Sequence, residues 1–285
     1  MATSVSENIL ATFDSLSPKQ RKLARFILES EEVVAFASAD ELAERVGTSA
    51  ATVVRFARSL GYEGYPDLQS AVRSHFPQFR TAAEKLAERV ANGGLRDGLQ
   101  ERVAQVSIDN VRQTIDRAHP DDVDQIIDLL SQAERIRIFA GGISSAAAVL
   151  AEYAFSMLGF SARAFTDAGI RPLLELSHLG ERDVVIGISI WRYIRSTVAM
   201  ARMAHQAGVP CIALTDSAVA PITRYASHVL VADTEGAAHG RSLGDIFALI
   251  DLLSAAMASR QPERSMAAIR RVDQTYRQHG LLLEE

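Results

Sequence analysis

The chain has 285 residues, enough for two domains of ordinary size or one large one. Hydrophobic residues make up 48% of it and charged residues 23%, the proportions of a folded globular protein, which excludes a fibrous, collagenous or mainly disordered chain. A net charge of −5 means that any contact with nucleic acid must come from a local cationic face.

No apolar run approaches the ~18 residues that span a bilayer, and residues 1–17 lack the basic-then-apolar pattern of a leader. The expectation is a cytoplasmic protein with no membrane contact. One cysteine, Cys211, cannot form an intramolecular disulfide. With no metal-ligand spacing and no complete dinucleotide fingerprint, neither a metal nor a cofactor is expected.

In chain order, Ser17-Pro18 combines a capping hydroxyl with proline at the first helical position and predicts a helix over 18–29. Leu23, Ala24, Ile27 and Leu28 form its apolar stripe. Ser38 starts a second helix to Val46, with Ala39, Leu42, Ala43 and Val46 on one face and Gly47 supplying the turn. Thr48 or Ser49 caps a third, running to about Leu60. Val53, Phe56, Ala57 and Leu60 share its buried face, leaving Ala51, Thr52, Arg55 and Arg58 outward. Lys19, Arg21, Lys22 and Arg25 lie together without an acid, as do Arg55 and Arg58. Two short helices joined by a glycine turn, the second cationic outside, read as a helix-turn-helix; a helical hairpin with a few solvated arginines is the plainer alternative.

The residue order goes further. Ser49-Ala-Ala-Thr-Val-Val-Arg-Phe56, followed by Leu60-Gly-Tyr-Glu-Gly-Tyr65, resembles the recognition segment of RpiR-type transcriptional regulators, with Ser-x-x-Thr-Val-x-Arg-Phe and Leu-Gly-Tyr/Phe-x-Gly-Tyr/Phe. The resemblance implies binding to a double-stranded DNA operator. Ser49 and Thr52, at a helix N-terminus, are candidates to hold a phosphate. Ala51 and Arg55 face the bases or backbone, Arg58 a phosphate, and Lys19, Lys22 and Arg25 flanking phosphates. Tyr62 and Tyr65 read as packing residues.

Residues 81–90 are amphipathic, and Asn92-Gly93-Gly94 marks a hinge. Leu95 to Arg117 reads as one long helix, and Pro120-Asp121-Asp122 starts another that buries Val123, Ile126, Ile127 and Leu130. The expected division is a helix-turn-helix domain over 1–80, a helical linker over 81–119, an α/β domain over 120–260 and a C-terminal helix over 261–285.

Strands are predicted at 135–140, 162–165, 183–188, 210–214 and 228–231, separated by helical stretches. The fold class is therefore an N-terminal all-α domain followed by an α/β three-layer sandwich with a five-stranded parallel sheet. Ligands of such sheets bind beyond the carboxyl ends of the strands, which directs attention to the loops after Ala140, Ile188 and Leu214.

Ile136-Arg-Ile-Phe-Ala-Gly-Gly-Ile-Ser-Ser145, Asp183-Val-Val-Ile-Gly-Ile-Ser189 and Ile212-Ala-Leu-Thr-Asp-Ser217 together look like a sugar isomerase (SIS) domain. That resemblance implies a phosphorylated-sugar site and oligomerisation. By position, Gly142, Ser144 and Ser145 match its first loop, Ser189 opens the second, and Ser242 matches a serine near the ligand. Where the family has Ser-x-Ser-Gly-x-Thr, this chain has Ser189-Ile-Trp-Arg-Tyr-Ile194, with Trp191, Arg192 and Ile194 at the second serine, the glycine and the threonine. Several phosphate-holding hydroxyls are thereby lost. Arg192 and Arg195 are candidates to replace them by bidentate contact, while Trp191 either stacks on a ligand or plugs the pocket.

The resulting expectation is a regulator, homodimer or homotetramer, whose SIS domain senses a small anionic metabolite and shifts operator affinity. An SIS domain that serves oligomerisation alone is one alternative. A sugar-phosphate isomerase is another, with Glu175, Glu235, His178 and His239 available as bases but in no recognisable constellation.

Overall fold

A computed structural model describes residues 5–74, 76, 82–91, 98–237, 240–281 and 283. The chain divides into two compact units, Met1–Glu88 and Arg89–Glu285.

The first unit is helical throughout: α1 (Val5–Thr12), a 3-10 turn at Phe13–Ser15, α2 (Pro18–Glu29), α3 (Glu31–Val34), α4 (Ala39–Val46), α5 (Ala50–Ser59) and α6 (Tyr65–Ser74), with α7 (Ala82–Ala91) crossing the boundary. Its helix starts are built as the sequence reads. The Ser17 and Ser38 side chains each accept from the backbone three residues on, and Gln20 and Glu41 reach back to close a capping box. Gly47 ends α4 at φ 71°, a left-handed conformation that glycine adopts without steric cost. Leu23, Ile27, Leu42, Val53, Phe56 and Leu68 are wholly buried between these helices.

α6 closes the bundle by polar contacts as well. The Tyr65 hydroxyl donates to the carbonyls of Ala37 and Val34, Gln69 donates to the same two, and Arg73 donates to that of Ala35. Carbonyls freed at the end of the four-residue α3 thus find donors from a neighbouring helix rather than from their own.

After the end of α7, the described residues of the second unit continue with α8 (Leu99–Arg117) and α9 (Pro120–Gln132). The expected hinge at Asn92-Gly93-Gly94 lies outside the described residues. Next come β1 (Ile136–Ala140), α10 (Ser144–Met157), β2 (Ala162–Phe165), α11 (Ile170–Ser177), β3 (Val184–Ser189), α12 (Arg195–Gln206) and β4 (Cys211–Thr215). A 3-10 turn at Pro221–Tyr225, β5 (His228–Val231), α13 (Gly244–Arg260) and α14 (Pro262–Gln278) complete it.

The five strands are all parallel, in the order β2-β1-β3-β4-β5. Alternate side chains enter opposite layers, as a pleated strand requires. Ile136, Ile138, Val184, Ile186, Ile188, Ile212 and Leu214 pack towards α9, α10 and α13, whereas Phe139, Val185, Cys211 and Ala213 pack towards α11 and α12. This is the three-layer sandwich. Strands β3 and β4 each begin and end one residue later than expected; ahead of β3, Asp183 belongs to the preceding turn, where it accepts from Gly180 N–H and pairs with Arg135 at 2.7 Å.

α8 is built into this unit. Its Asn110 side chain donates to the Glu235 carbonyl at 2.7 Å, and its Thr114 hydroxyl accepts from Asp233 N–H at 2.8 Å. This stretch of the 81–119 segment therefore carries buried tertiary bonds of the α/β unit.

Candidate functional site: the helix-turn-helix and the strand-end crevice

In the first unit, α4, the Gly47 turn and α5 form the expected helix-turn-helix. Ser49 caps α5, its hydroxyl accepting from Thr52 N–H at 3.3 Å and lying 2.9 Å from the Thr52 hydroxyl. Ala51, Arg55 and Arg58 are exposed on α5, and Lys19, Lys22 and Arg25 are exposed on α2. Thr52 corrects the sequence reading: it is 8% exposed and turned inward. Its hydroxyl accepts from Arg55 Nη2 at 3.2 Å, so the residue expected to hold a phosphate instead braces the arginine beside it. Arg58 Nε donates to the Glu63 carbonyl at 3.3 Å. Tyr65 is a packing residue, as expected.

In the second unit, strand order reverses at β1, which has β2 on one side and β3 on the other. The crevice beyond the carboxyl ends of β1 and β3 is the switch point at which ligands of open parallel sheets bind. From β1 come Gly141 and Gly142, the latter at φ 61°, followed by Ser144, 1% exposed, and the half-buried Ser145. From β3 comes Ser189, whose buried hydroxyl makes no hydrogen bond among the described residues, while its carbonyl accepts from the Thr215 hydroxyl at 2.7 Å.

The altered second loop packs against its surroundings. Ile194 lies over the first loop so closely that a Cβ placed on Gly141 would meet its Cγ2 at 2.9 Å. Trp191 N–H donates to Asp216 Oδ2 at 3.1 Å, and the Trp191 and Tyr193 rings meet edge to face with centroids 5.5 Å apart. Arg192 and Arg195 are both exposed, and Arg195 turns along α12. Ser242 accepts from Gly244 N–H at the start of α13 and donates its own N–H to the Thr234 carbonyl.

Three charged residues not singled out as candidates in the sequence lie behind the loops after β3 and β4 and at the start of α13. Asp216 follows β4 directly and lies 3.5 Å from Arg241, with both side chains buried. Burial pushes its carboxyl above the ordinary range, against the pull of Arg241 and the Trp191 N–H. Asp245, wholly buried at the start of α13, is pushed up to about 6 by burial, with Asp233 and Asp216 adding to the rise. Their signal in the sequence is weak: only Asp216, in the quoted Thr-Asp-Ser run, stands at a strand end.

Of the four residues weighed as bases, Glu175 is the ion partner of the buried Arg137, and His178 is exposed while its carbonyl accepts from Arg135. The Glu235 backbone bridges to Arg241, and His239 lies outside the described residues. Among the described residues no cluster of His, Cys, Asp and Glu is placed to hold a metal ion, and no helix is long and apolar enough to cross a membrane.

Residues 3–78 match the helix-turn-helix domain of the rpiR family, and residues 129–261 match the SIS domain. The chain is 29% identical over 223 residues to the HTH-type transcriptional regulator HexR of Pseudomonas aeruginosa, covering 76% of this chain and 75% of HexR. The sugar isomerase domain of an RpiR transcription factor from Sphaerobacter thermophilus superposes with a TM-score of 0.60 at 36% identity, over 61% of this chain and 98% of that one. The Vibrio vulnificus NanR protein, in a structure complexed with ManNAc-6P, shares the fold with a TM-score of 0.66 at 23% identity, over 95% of this chain and 97% of NanR.

Fold and sequence together define a DNA-binding transcriptional regulator built from a helix-turn-helix and an SIS domain. The chain belongs to the RpiR family.

Proposed function

We propose that this regulator binds a double-stranded operator as a homodimer or homotetramer and that a small anionic metabolite, a phosphorylated sugar or related compound, alters its operator affinity from the crevice at β1 and β3. The observation that carries the first part is the exposed face of α5, where Ala51, Arg55 and Arg58 project from a helix whose N-terminus is capped by Ser49. Such a helix enters the major groove with its N-terminal residues at the base edges, and two-fold symmetric half-sites call for paired copies.

The effector reading is supported by the phosphorylated sugar in the NanR complex and by Gly142, Ser144 and Ser189 at the switch point. The exposed Arg192 supplies the positive charge that the missing hydroxyls do not. Ser145, Trp191 and Ser242 are proposed at its margins, whereas Arg195 turns away along α12. The packing of Ile194 against Gly141 favours a second reading, in which the SIS domain serves oligomerisation alone. An isomerase has less support, since Glu175 is engaged by Arg137.

The test is binding of the purified chain to DNA from upstream of its own gene, with scrambled DNA as control, across a salt series. Selective binding that persists at physiological salt and is weakened by Arg55→Ala supports the operator reading; equal, salt-labile binding to both DNAs refutes it. A sugar-phosphate panel added to the complex then separates the effector reading, which requires altered affinity abolished by Arg192→Ala, from the oligomerisation reading, which predicts no change.

A further inference from the structure

On the far side of the second loop, α12 and the Pro221–Tyr225 turn enclose a cleft of about 450 Å³, within the size range of small-molecule sites. Arg195, Val198, Ala199 and Arg202 fall at i, i+3, i+4 and i+7, so all four lie on the one face of α12 that lines it. The two arginines are two turns apart, about 10 Å along the helix axis. Between them the surface is apolar, and the rings of Tyr193, Pro221 and Tyr225 form the remaining wall.

Neither Arg195 nor Arg202 forms an ion pair with any described residue, as is true of other exposed arginines of the unit such as Arg163 and Arg192; what sets these two apart is that they share one cleft. The lining contains no carboxylate, no amide and no aliphatic hydroxyl. It therefore offers little to a sugar and much to a molecule that is anionic at its ends and apolar in the middle. A guanidinium takes a carboxylate in a two-pronged contact, and tyrosine rings take a planar apolar body on their faces or edges.

We propose that this cleft is a second small-molecule site, separate from the strand-end crevice, for a dianionic organic ligand with an apolar or planar centre, of which an aromatic dicarboxylate is the simplest form. Arg195 and Arg202 hold one anionic group each, and Val198, Ala199 and Tyr225 cover the centre. The site does not depend on what the strand-end crevice binds.

The experiment is calorimetric titration of the full chain with terephthalate and biphenyl-4,4′-dicarboxylate as probes, benzoate as the one-ended control and inorganic phosphate as competitor. One molecule of a dicarboxylate is expected per chain, binding at least tenfold more tightly than benzoate and undisturbed by phosphate. Arg195→Ala and Arg202→Ala each weaken it at least tenfold. Both side chains are exposed, so the variants keep the parental melting temperature, which is checked in parallel. No binding of either dicarboxylate at millimolar concentration, equal affinity for benzoate, or affinity unchanged by both arginine variants overturns the proposal. Affinity lost in Gly141→Ala but kept in Arg202→Ala places the probe in the strand-end crevice and overturns it equally.

Discussion

Arg241 stands 3.5 Å from Asp216 with both side chains buried, joining the segment ahead of α13 to the end of β4. The same carboxylate accepts from the Trp191 backbone, so one buried acid ties the loops after β3 and β4 to the isolated antiparallel bridge between Glu235 and Arg241. Arg241→Met leaves Asp216 buried without its cation, and the expected loss of stability in chemical denaturation is about 3 kcal/mol. The double variant Arg241→Met/Asp216→Asn recovers part of that loss. A double variant no better than the single one would show that the arginine acts through its other contacts.

Asp245, buried at the start of α13, makes the stability of the fold depend on pH. Its folded-state value of about 6 stands above the ordinary 3.8, so below pH 4 it is protonated in folded and unfolded chains alike and its relative contribution is fully present. Between pH 4 and 6 the folded chain retains a proton that the unfolded chain has released, and stability falls as pH rises through this window, by about 3 kcal/mol at most. Asp245→Asn is expected to flatten the profile between pH 4 and 6 and to melt higher than the parent at pH 7.5. Parallel profiles for the two proteins would refute this.

The contact between Ile194 and Gly141 is testable by a pair of substitutions. Gly141→Ala sets a methyl 2.9 Å from Ile194 Cγ2 and is expected to destabilise by about 1–3 kcal/mol through overpacking. Adding Ile194→Ala makes the room and restores most of the loss, giving a double-mutant coupling measurable by thermal denaturation.

On DNA, the two arginines of α5 are expected to behave differently. Arg58→Ala weakens binding about equally on operator and scrambled DNA and lowers the slope of log affinity against log salt by about 0.9, one phosphate contact. If Arg55 reads a base edge, Arg55→Ala costs about 1–3 kcal/mol on the operator and much less on scrambled DNA; an equal loss on both assigns it to the backbone instead. Thr52→Val, which removes the acceptor bracing Arg55, shifts operator affinity in the same direction by a smaller amount.

Cys211 reports on global opening. It is 2% exposed at the start of β4, and burial pushes its thiol up to about 12. Alkylation by iodoacetamide at pH 8 is expected only at the rate of unfolding. Fast labelling of the folded chain would contradict the packing of β4 against α12.

Much of this architecture can be read from local sequence because local physics decides it. Ser17-Pro18 and Ser38 with Glu41 satisfy helix-end donors within four residues, Gly47 meets a left-handed turn, and β-rich runs bounded by turns mark the strands. Thr52 departs from the helical pattern because a polar residue at the edge of a buried stripe is as easily turned inward when its hydroxyl has local partners, here Ser49 and Arg55. The crevice is harder. Gly141 and Ile194, or Asp216 and Arg241, meet only once the parallel sheet has brought distant loops to one end, and no periodicity records that.

The two bonds that α8 makes through Asn110 and Thr114 end on residues 235 and 233, the segment that leads into Arg241. A stiff rod anchored near one end amplifies what its anchor does: with about 20 Å of helix between Thr114 and Leu99, a tilt of about 5° at the anchor sweeps the free end through nearly 2 Å. Under the proposed effector reading, a small rearrangement of residues 233–235 would be enlarged along the rod before it reached residue 99, with a displacement comparable to that separating a good contact from a lost one.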